Sequence, residues 1–522
     1  MYTKWVKVHY TLRITDLQLH ELWLNDQITK PLFTSIRGQS KTINMLTSLL
    51  IIPIIGVLTL SNMQDEARMK QIALSFTLVN FVVSLVLWGE FDSNSSQYQF
   101  TADFYQISFC HFHIGIDGLS LYYVLLTTFT MPICILASWD NVKHNVKYFL
   151  IAFLMVEALL IALFVVLDLL LFYVFFESVL VPLFLIVGIW GASEMRIRAS
   201  FLLFLYTLFG SLFMLLSFLV IIYNVGTSDL EMISFADISF DSQKILWLGI
   251  FLSFAIKTPL IPMHGWLIRA HVEAPVAGSM VLAGLVLKLA TYGILRILIP
   301  ILPEATAYFT PLAYTFAIIS IIYASLSALR QTDFKCLVAY SSIAHMGVGM
   351  VGLFSNTVQG IEGAIVLSIG HGLVSPALFY IVGSVIYDRY HTRVIRYYRG
   401  LTLYMPVAML FFFLFTLANA GTPGISVNWV GEFMSLAGAY QMNAFATLLA
   451  ATTIVLSAGY SILLFNRLAF GSFSPYLAYT TDLSRREYMI LLTLLIPTIA
   501  FAIWPNVILN DLHYSVSTLL YA

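Results

Sequence analysis

The chain predicts an all-α polytopic membrane protein of about fourteen transmembrane helices, and three observations carry that prediction. Hydrophobic residues fill 60 % of the 522 positions and the mean hydropathy is +0.88, while only 10 % of residues are charged. A soluble protein of this length needs far more charge on its surface. Apolar stretches of ~20 residues recur to the C-terminus, each long enough to cross ~30 Å of hydrocarbon as a helix. They fall at roughly 43–60, 71–89, 116–138, 147–166, 168–190, 198–223, 245–267, 275–299, 310–328, 334–353, 361–386, 404–440 (interrupted), 443–468 and 487–510. Hydrocarbon offers no water to satisfy backbone groups, so the stretches have to form a helical bundle.

The basic residues orient the bundle. Connections after odd-numbered stretches carry Arg68, Lys70, Lys143, Lys147, Arg196, Arg198, Arg269, Arg330, Lys335, Arg389, Arg393, Arg396, Arg399, Arg467, Arg485 and Arg486. Connections after even-numbered stretches carry only Lys244, with Arg296 near the end of the eighth. By the positive-inside rule the odd-to-even loops face the cytoplasm or its equivalent. The first 42 residues break the rule with six further basic residues. They also hold Asp16, Glu21 and Asp26, whereas transit peptides are poor in acids. They lack the uninterrupted apolar core of a signal peptide and read as a retained extension lying on the bundle or on a neighbour.

Cys110, Cys134 and Cys336 are scattered, and no CxxC pair exists. That argues against an iron–sulfur cluster or structural zinc held by this chain alone. Neither a GxGxxG after a strand nor a P-loop marks a nucleotide site.

Two of the stretches are broken. The seventh contains Pro259 and Pro262 beside Lys257, and the twelfth contains Gly421, Pro423 and Gly424 in "ANAGTPGISVNWVGEF". Proline inside a helix removes one hydrogen bond and clashes with the carbonyl four residues earlier. Paired discontinuous helices at matching positions point to an inverted-repeat transporter. The breaks are five helices apart, and five crossings return the chain to the opposite face. The expected organisation is therefore an extension (1–42), peripheral helices 1–3 (43–145), a first inverted repeat of helices 4–8 (146–300), a second of helices 9–13 (301–470), and a C-terminal helix (471–522).

Ionisable groups inside these stretches are costly and mark function by default. Glu177 lies in "LLLFYVFFESVLVPLF", where Pro182 frees the carbonyl of Ser178. A lone buried carboxyl would protonate, whereas a nearby lysine would hold it ionised. Lys257 stands in the equally disturbed seventh helix, so a Glu177–Lys257 pair that opens and closes is expected; the alternative is a static ion pair that fixes packing. Lys288 lies midway along the eighth helix, with apolar sequence on both sides. It is expected in an intact helix with no acidic partner, as a proton carrier, since a buried lysine can lose its proton. Snorkelling to an interface is the competing reading. His345 and His371 fall in the tenth and eleventh helices among Ser341, Ser342, Ser368 and Ser375, and suit a proton relay. Glu432 stands beside the break in helix 12, as Lys257 does in helix 7, and reads as the terminal group. Weaker candidates are Glu157, which could pair with a neighbouring chain; Asp168, at a membrane face; Asp117, a helix cap; Glu362, capping helix 11; His264, beside the helix 7 break; and Arg330 and Lys335, in a solvated loop.

The segments "FFESVLVPLFLIVGIWG", "KTPLIPMHGWLIRAHVEAPVAGSMVLAGLVLKLATYG" and "ALRQTDFKCLVAYSSIAHMG" closely resemble the antiporter-like subunits of respiratory complex I, mitochondrial members in particular. The resemblance covers roughly residues 43–515, and residues 1–42 depart from it. It implies a proton-pumping subunit of the mitochondrial inner membrane, with the basic loops in the matrix. Glu177, Lys257, Lys288 and Glu432 fall on the family's positions for the proton axis, and His345 and His371 on its relay histidines. The resemblance also implies no cofactor in this chain: NADH, flavin, iron–sulfur clusters and ubiquinone belong to other subunits. Its partners would be other membrane-arm subunits, chains 2 and 5, together with lipids and no nucleic acid.

The mechanism expected on this basis is an electrostatic switch. At ~4 Å and an effective dielectric near 20 one charge pair is worth ~4 kcal/mol, about three pKa units. Closing Glu177 on Lys257 would then change where the proton of Lys288 rests, and protons would leave through His345, His371 and Glu432. Two rivals share these residues. A free-standing Na⁺/H⁺ antiporter subunit would show sodium-dependent, redox-independent transport. A scaffold with an inactive channel would tolerate loss of Lys288.

Overall fold

The computed structural model describes residues 45–107, 110–472 and 474–521, so the expected extension 1–42 lies outside the described residues. A helical segment occupies each of the fourteen apolar stretches. They are α1 (Met45–Ser61), α2 (Glu66–Glu90), α3 (Gly118–Ala137), α4 (Val146–Val165), α5 (Leu169–Trp190), α6 (Arg196–Val225), the half-helices α7a (Phe240–Lys257) and α7b (Gly265–Glu273), α8 (Val276–Ile301), α9 (Pro303–Leu329), α10 (Phe334–Leu353), α11 (Val358–Tyr390), the half-helices α12a (Pro406–Asn419) and α12b (Val427–Met442), α13 (Ala444–Ala469) and α14 (Arg485–Ile503). A further helix, α15 (Asn506–Tyr521), follows after Pro505, so the last apolar stretch is two helices and not one. Eleven of the described helices are by themselves long and apolar enough to cross a bilayer.

Local sequence sets many of the ends. Asp65, Asp117, Asp168, Asp333 and Ser484 each accept a backbone N–H in the first turn of the helix that follows. Such caps satisfy donors that have no partner within the helix. Asp168 also accepts from Ser228, which ties α5 to the loop after α6. As Pro182 requires, α5 bends between Ser178 and Leu180.

Among the described residues, one short piece is β-sheet. Strands β1 (Gln99–Ile107) and β2 (Cys110–Ile116) form an antiparallel hairpin between α2 and α3, with Gln99 opposite Ile116 and Ala102 opposite Ile114. Ala102, Ile114 and Ile116 are buried. Open strand edges do not face hydrocarbon, so the hairpin belongs to the membrane surface opposite the basic loops, at the end of α2.

At the centre stand α8 and α11, whose membrane windows are buried throughout, with α10 nearly so. Small residues let the central pair approach. A Cβ on Gly372 of α11 would lie 2.6 Å from Leu126 of α3 and 3.1 Å from the carbonyl of Gly284 on α8. At the edge, α15 fastens α2, α3 and α11: Asp511 accepts from Trp88 and Tyr122, Ser515 accepts from the Gly118 N–H, and His513 pairs with Glu362 at 2.8 Å.

That last contact corrects one expectation. Thr357 caps α11, and Glu362 lies a turn inside it, bonded to α15. Glu157 differs too: it is fully buried and accepts from Asn80 of α2 at 2.7 Å, so its partner is within the chain. Lys335 is not solvated. It is 3 % exposed and donates to the carbonyl of Ala274 at 2.7 Å, while Arg393 donates to that of Val272 at 2.7 Å. These cations satisfy carbonyls at the C-terminus of α7b, where positive charge is favoured. Arg330 is exposed, as expected.

Candidate proton-transfer site

Lys257 is the last residue of α7a, and residues 258–264 that follow are not helical. Its side chain, 1 % exposed, reaches α5. Nζ donates to the carbonyl of Phe176 at 3.0 Å and lies 3.2 Å from the centre of the Phe176 ring. An ammonium over an aromatic face is stabilised by the ring quadrupole, more so away from water. Glu177 is the next residue along, half-buried, and its Oε1 is buried with no hydrogen-bond partner. Among the described residues no ion pair within 4 Å joins Glu177 to Lys257, so the expected pair is not formed in this structure. Lys257 is instead bonded to the carbonyl of Phe176, the residue before Glu177.

Lys288 sits at the middle of α8, fully buried. The helix around it is not intact as expected: π-helical turns span Leu282–Val286 and Ile294–Leu298, and Lys288 begins the α-helical piece between them. A π turn widens the helix and leaves carbonyls poorly matched, and such turns gather at functional sites. Lys288 uses one of these, donating from Nζ to the carbonyl of Ala283 at 2.5 Å. Its other contact is His371 Nδ1 of α11, at 2.8 Å. Pro376, five residues on, has no N–H to offer the Gly372 carbonyl, which loosens α11 beside His371.

From His371 the polar line continues. The rings of His371 and His345 have centroids 5.9 Å apart. His345 Nδ1 bonds Glu432 Oε1 at 2.7 Å, and both side chains are buried. Glu432 is on α12b, whereas Lys257 closes α7a, so the two flank their breaks from opposite sides. The break in helix 12 makes room for the carboxylate. Gly421, at φ +71°, would place a Cβ 3.0 Å from Glu432 Oε2.

Of the six residues singled out in the sequence, Lys288 with His371 and His345 with Glu432 therefore form two bonded pairs, whose histidine rings lie 5.9 Å apart. No hydrogen bond or ion pair among the described residues joins Glu177 to Lys257, or Lys257 to Lys288. His264 is beside the break, with Nδ1 buried and unpaired.

Three further residues belong to this interior. Tyr460 of α13 is fully buried, its hydroxyl 3.5 Å from His345 Nε2. Asn428, a turn before Glu432, is buried with both amide atoms unpaired, and a Cβ on Gly370 would lie 2.4 Å from its Oδ1. His271 on α7b is fully buried, stacked on Phe379 at 4.6 Å, with both ring nitrogens unpaired. Asn428 and His271 lie within "VNWVGEF" and "RAHVEAP", close in sequence to Glu432 and to the helix 7 break. Tyr460 is one of 28 tyrosines, and only the folded structure distinguishes it.

Residues 166–457 match the family of NADH:quinone oxidoreductase and Mrp antiporter transmembrane subunits. NADH-ubiquinone oxidoreductase chain 4 of Mycosarcoma maydis is 64 % identical over 92 % of this chain and its own full length. The structure resembles a chain of respiratory complex I from Thermus thermophilus with bound NADH, at TM-score 0.83 and 29 % identity, covering 91 % of this chain and 99 % of that one. It also shares its fold with a chain of the Mrp complex from Dietzia sp. DQ12-45-1b, at TM-score 0.80 and 18 % identity, over 91 % of this chain and 98 % of that one. Matched over 92 % of its length by a relative 64 % identical to it, the chain belongs to the NADH-ubiquinone oxidoreductase chain 4 family.

Proposed function

We propose that this chain is a proton-translocating subunit in the membrane arm of NADH:ubiquinone oxidoreductase, in the inner mitochondrial membrane. The observation that carries the proposal is the buried run Lys288–His371–His345–Glu432. Lys288 and His371 share a 2.8 Å contact, as do His345 and Glu432 at 2.7 Å. Each member can both hold and release a proton, which lets the run pass protons across the interior of the bundle. Glu177 and Lys257 are the switch: closing the pair removes the ammonium from the Phe176 carbonyl and changes the field at the start of the run. The two broken helices are the discontinuous members of two inverted repeats, helices 4–8 and 9–13.

NADH, FMN, iron–sulfur clusters and ubiquinone are bound by other subunits, and chains 2 and 5 flank this one. The likeness to the Mrp chain, at 18 % identity, concerns fold alone; the 64 % identity to a chain 4 favours the redox-driven complex over a free-standing Na⁺/H⁺ antiporter. The test is the assembled complex in proteoliposomes. Lys288→Ala and His345→Ala should abolish proton uptake driven by NADH:quinone turnover and leave NADH oxidation by an artificial acceptor intact. Wild-type proton stoichiometry in both would overturn the proposal.

A further inference from the structure

Eight residues beyond Lys288 on the same helix lies a second buried cation, Arg296, which the proton run does not use. All of its side-chain nitrogens are engaged. Nη1 and Nη2 donate to the two carboxylate oxygens of Asp117 at 2.9 and 2.6 Å, Nη1 also to the Tyr98 hydroxyl at 2.8 Å, and Nε to the Tyr292 hydroxyl at 3.1 Å. Asp117 is also the N-cap of α3. Burial opposes its ionisation, but the Arg296 guanidinium and the Ser120 bonds hold its carboxyl below the usual range. Tyr292 lies midway between Lys288 and Arg296 and is fully buried. Its hydroxyl donates to the Phe164 carbonyl at 2.9 Å, and its ring packs against Phe164 and Tyr123 with centroids 5.2 and 5.8 Å away.

We infer that Arg296, Asp117 and the ring cluster at Tyr292 form a proton barrier that seals the α8 end away from the basic loops. The inference rests on the proposed proton run. A guanidinium does not deprotonate in proteins, so Arg296 can neither accept a proton from Lys288 nor give one up. The Tyr292 hydroxyl already has its hydrogen committed to Phe164 and a lone pair committed to Arg296. The straight route from Lys288 along its own helix therefore ends in groups that cannot relay. A fixed arginine charge in a narrow, low-dielectric passage is a recognised means of excluding protons and cations from a membrane path. Its effect here is directional: a proton on Lys288 leaves sideways through His371, and protons on the far surface cannot return to Lys288 by the short way.

The experiment measures passive proton conductance of proteoliposomes holding the assembled complex, under an imposed potassium-diffusion potential without NADH. Arg296→Gln and Asp117→Asn should each raise conductance at least threefold over wild type. Tyr292→Phe keeps the ring and the ion pair and should stay within a factor of two of wild type, with normal proton stoichiometry during turnover. Unchanged conductance in assembled Arg296→Gln or Asp117→Asn would overturn the barrier. So would loss of pumping in Tyr292→Phe, which would make that hydroxyl a conductor; this arm can overturn the barrier even if the charge variants do not assemble. Because the leak is read without turnover, normal pumping in Lys288→Ala would refute the proton run while leaving the leak result standing on its own.

Discussion

His345 on α10 and Glu432 on α12b are joined by a 2.7 Å bond from Nδ1 to Oε1, and that bond crosses from one helix to the second half of a broken one. Glu432→Gln keeps the size and a hydrogen bond but removes the exchangeable carboxyl proton. General acid–base groups contribute about 10²–10⁴-fold. Turnover of NADH with quinone should therefore fall at least about tenfold in the assembled complex. NADH oxidation by an artificial acceptor should not change. Near-normal quinone reduction in this variant would remove Glu432 from the path.

Gly421 and Gly424 allow steric and conformational causes to be separated. Both have positive φ, +71° and +76°, but only Gly421 would put a Cβ near Glu432. A left-handed conformation costs a non-glycine residue roughly 1–2 kcal/mol. Gly424→Ala should show that strain alone, as a modest loss of thermal stability with pumping retained. Gly421→Ala should add displacement of the carboxylate and lose pumping as Glu432→Gln does. Equal behaviour of the two variants would mean that the contact with Glu432 is immaterial.

At the other end, Lys257 rests on both the carbonyl and the ring of Phe176. Phe176→Leu removes the ring and keeps the carbonyl, at a cost near the ~2 kcal/mol of a desolvated cation–π contact. Quinone-coupled pumping should be reduced but present. Lys257→Ala and Glu177→Ala should each abolish it. If Phe176→Leu were as inactive as Lys257→Ala, the ring and not the charge would govern the switch.

Glu157 and Asn80 form a buried pair away from the proton run. Glu157→Ala leaves the Asn80 amide unpaired, and an orphaned buried polar group costs about 1–3 kcal/mol. The assembled complex should melt at a lower temperature, with activity per assembled complex unchanged. Glu157→Gln, which preserves a partner for Asn80, should melt close to wild type.

The apolar stretches and the two breaks were legible because hydrocarbon imposes length and apolarity, and because Pro259, Pro262 and Pro423 interrupt a helical ladder. The six titratable residues were legible for the same reason, since each is an anomaly against an apolar background. Their pairing was not. Nothing in "VLKLATYG" announces that α8 contains π turns, because a π turn is a matter of hydrogen-bond register and not of composition. Lys335 read as solvated because its neighbours Arg330, Gln331 and Asp333 are polar; its burial depends on α7b ending beside it. Glu362 and Glu157 were misjudged likewise, their partners His513 and Asn80 being 151 and 77 residues away. Asn428 and Tyr460 carry no charge and so stood out least.

The non-helical stretch after Lys257 has a temporal consequence. Side-chain rotation takes about ps–ns, whereas shifts of helices take about μs–ms. A proton moving between Lys288 and His371, already 2.8 Å apart, asks for no more than the faster kind of motion. Bringing Lys257 from the Phe176 carbonyl to Glu177 acts on the loose end of α7a and can recruit the slower kind. On the proposed mechanism the two groups would keep different clocks: the slow step would lie at the broken end, and transfer between Lys288 and His371 would follow it.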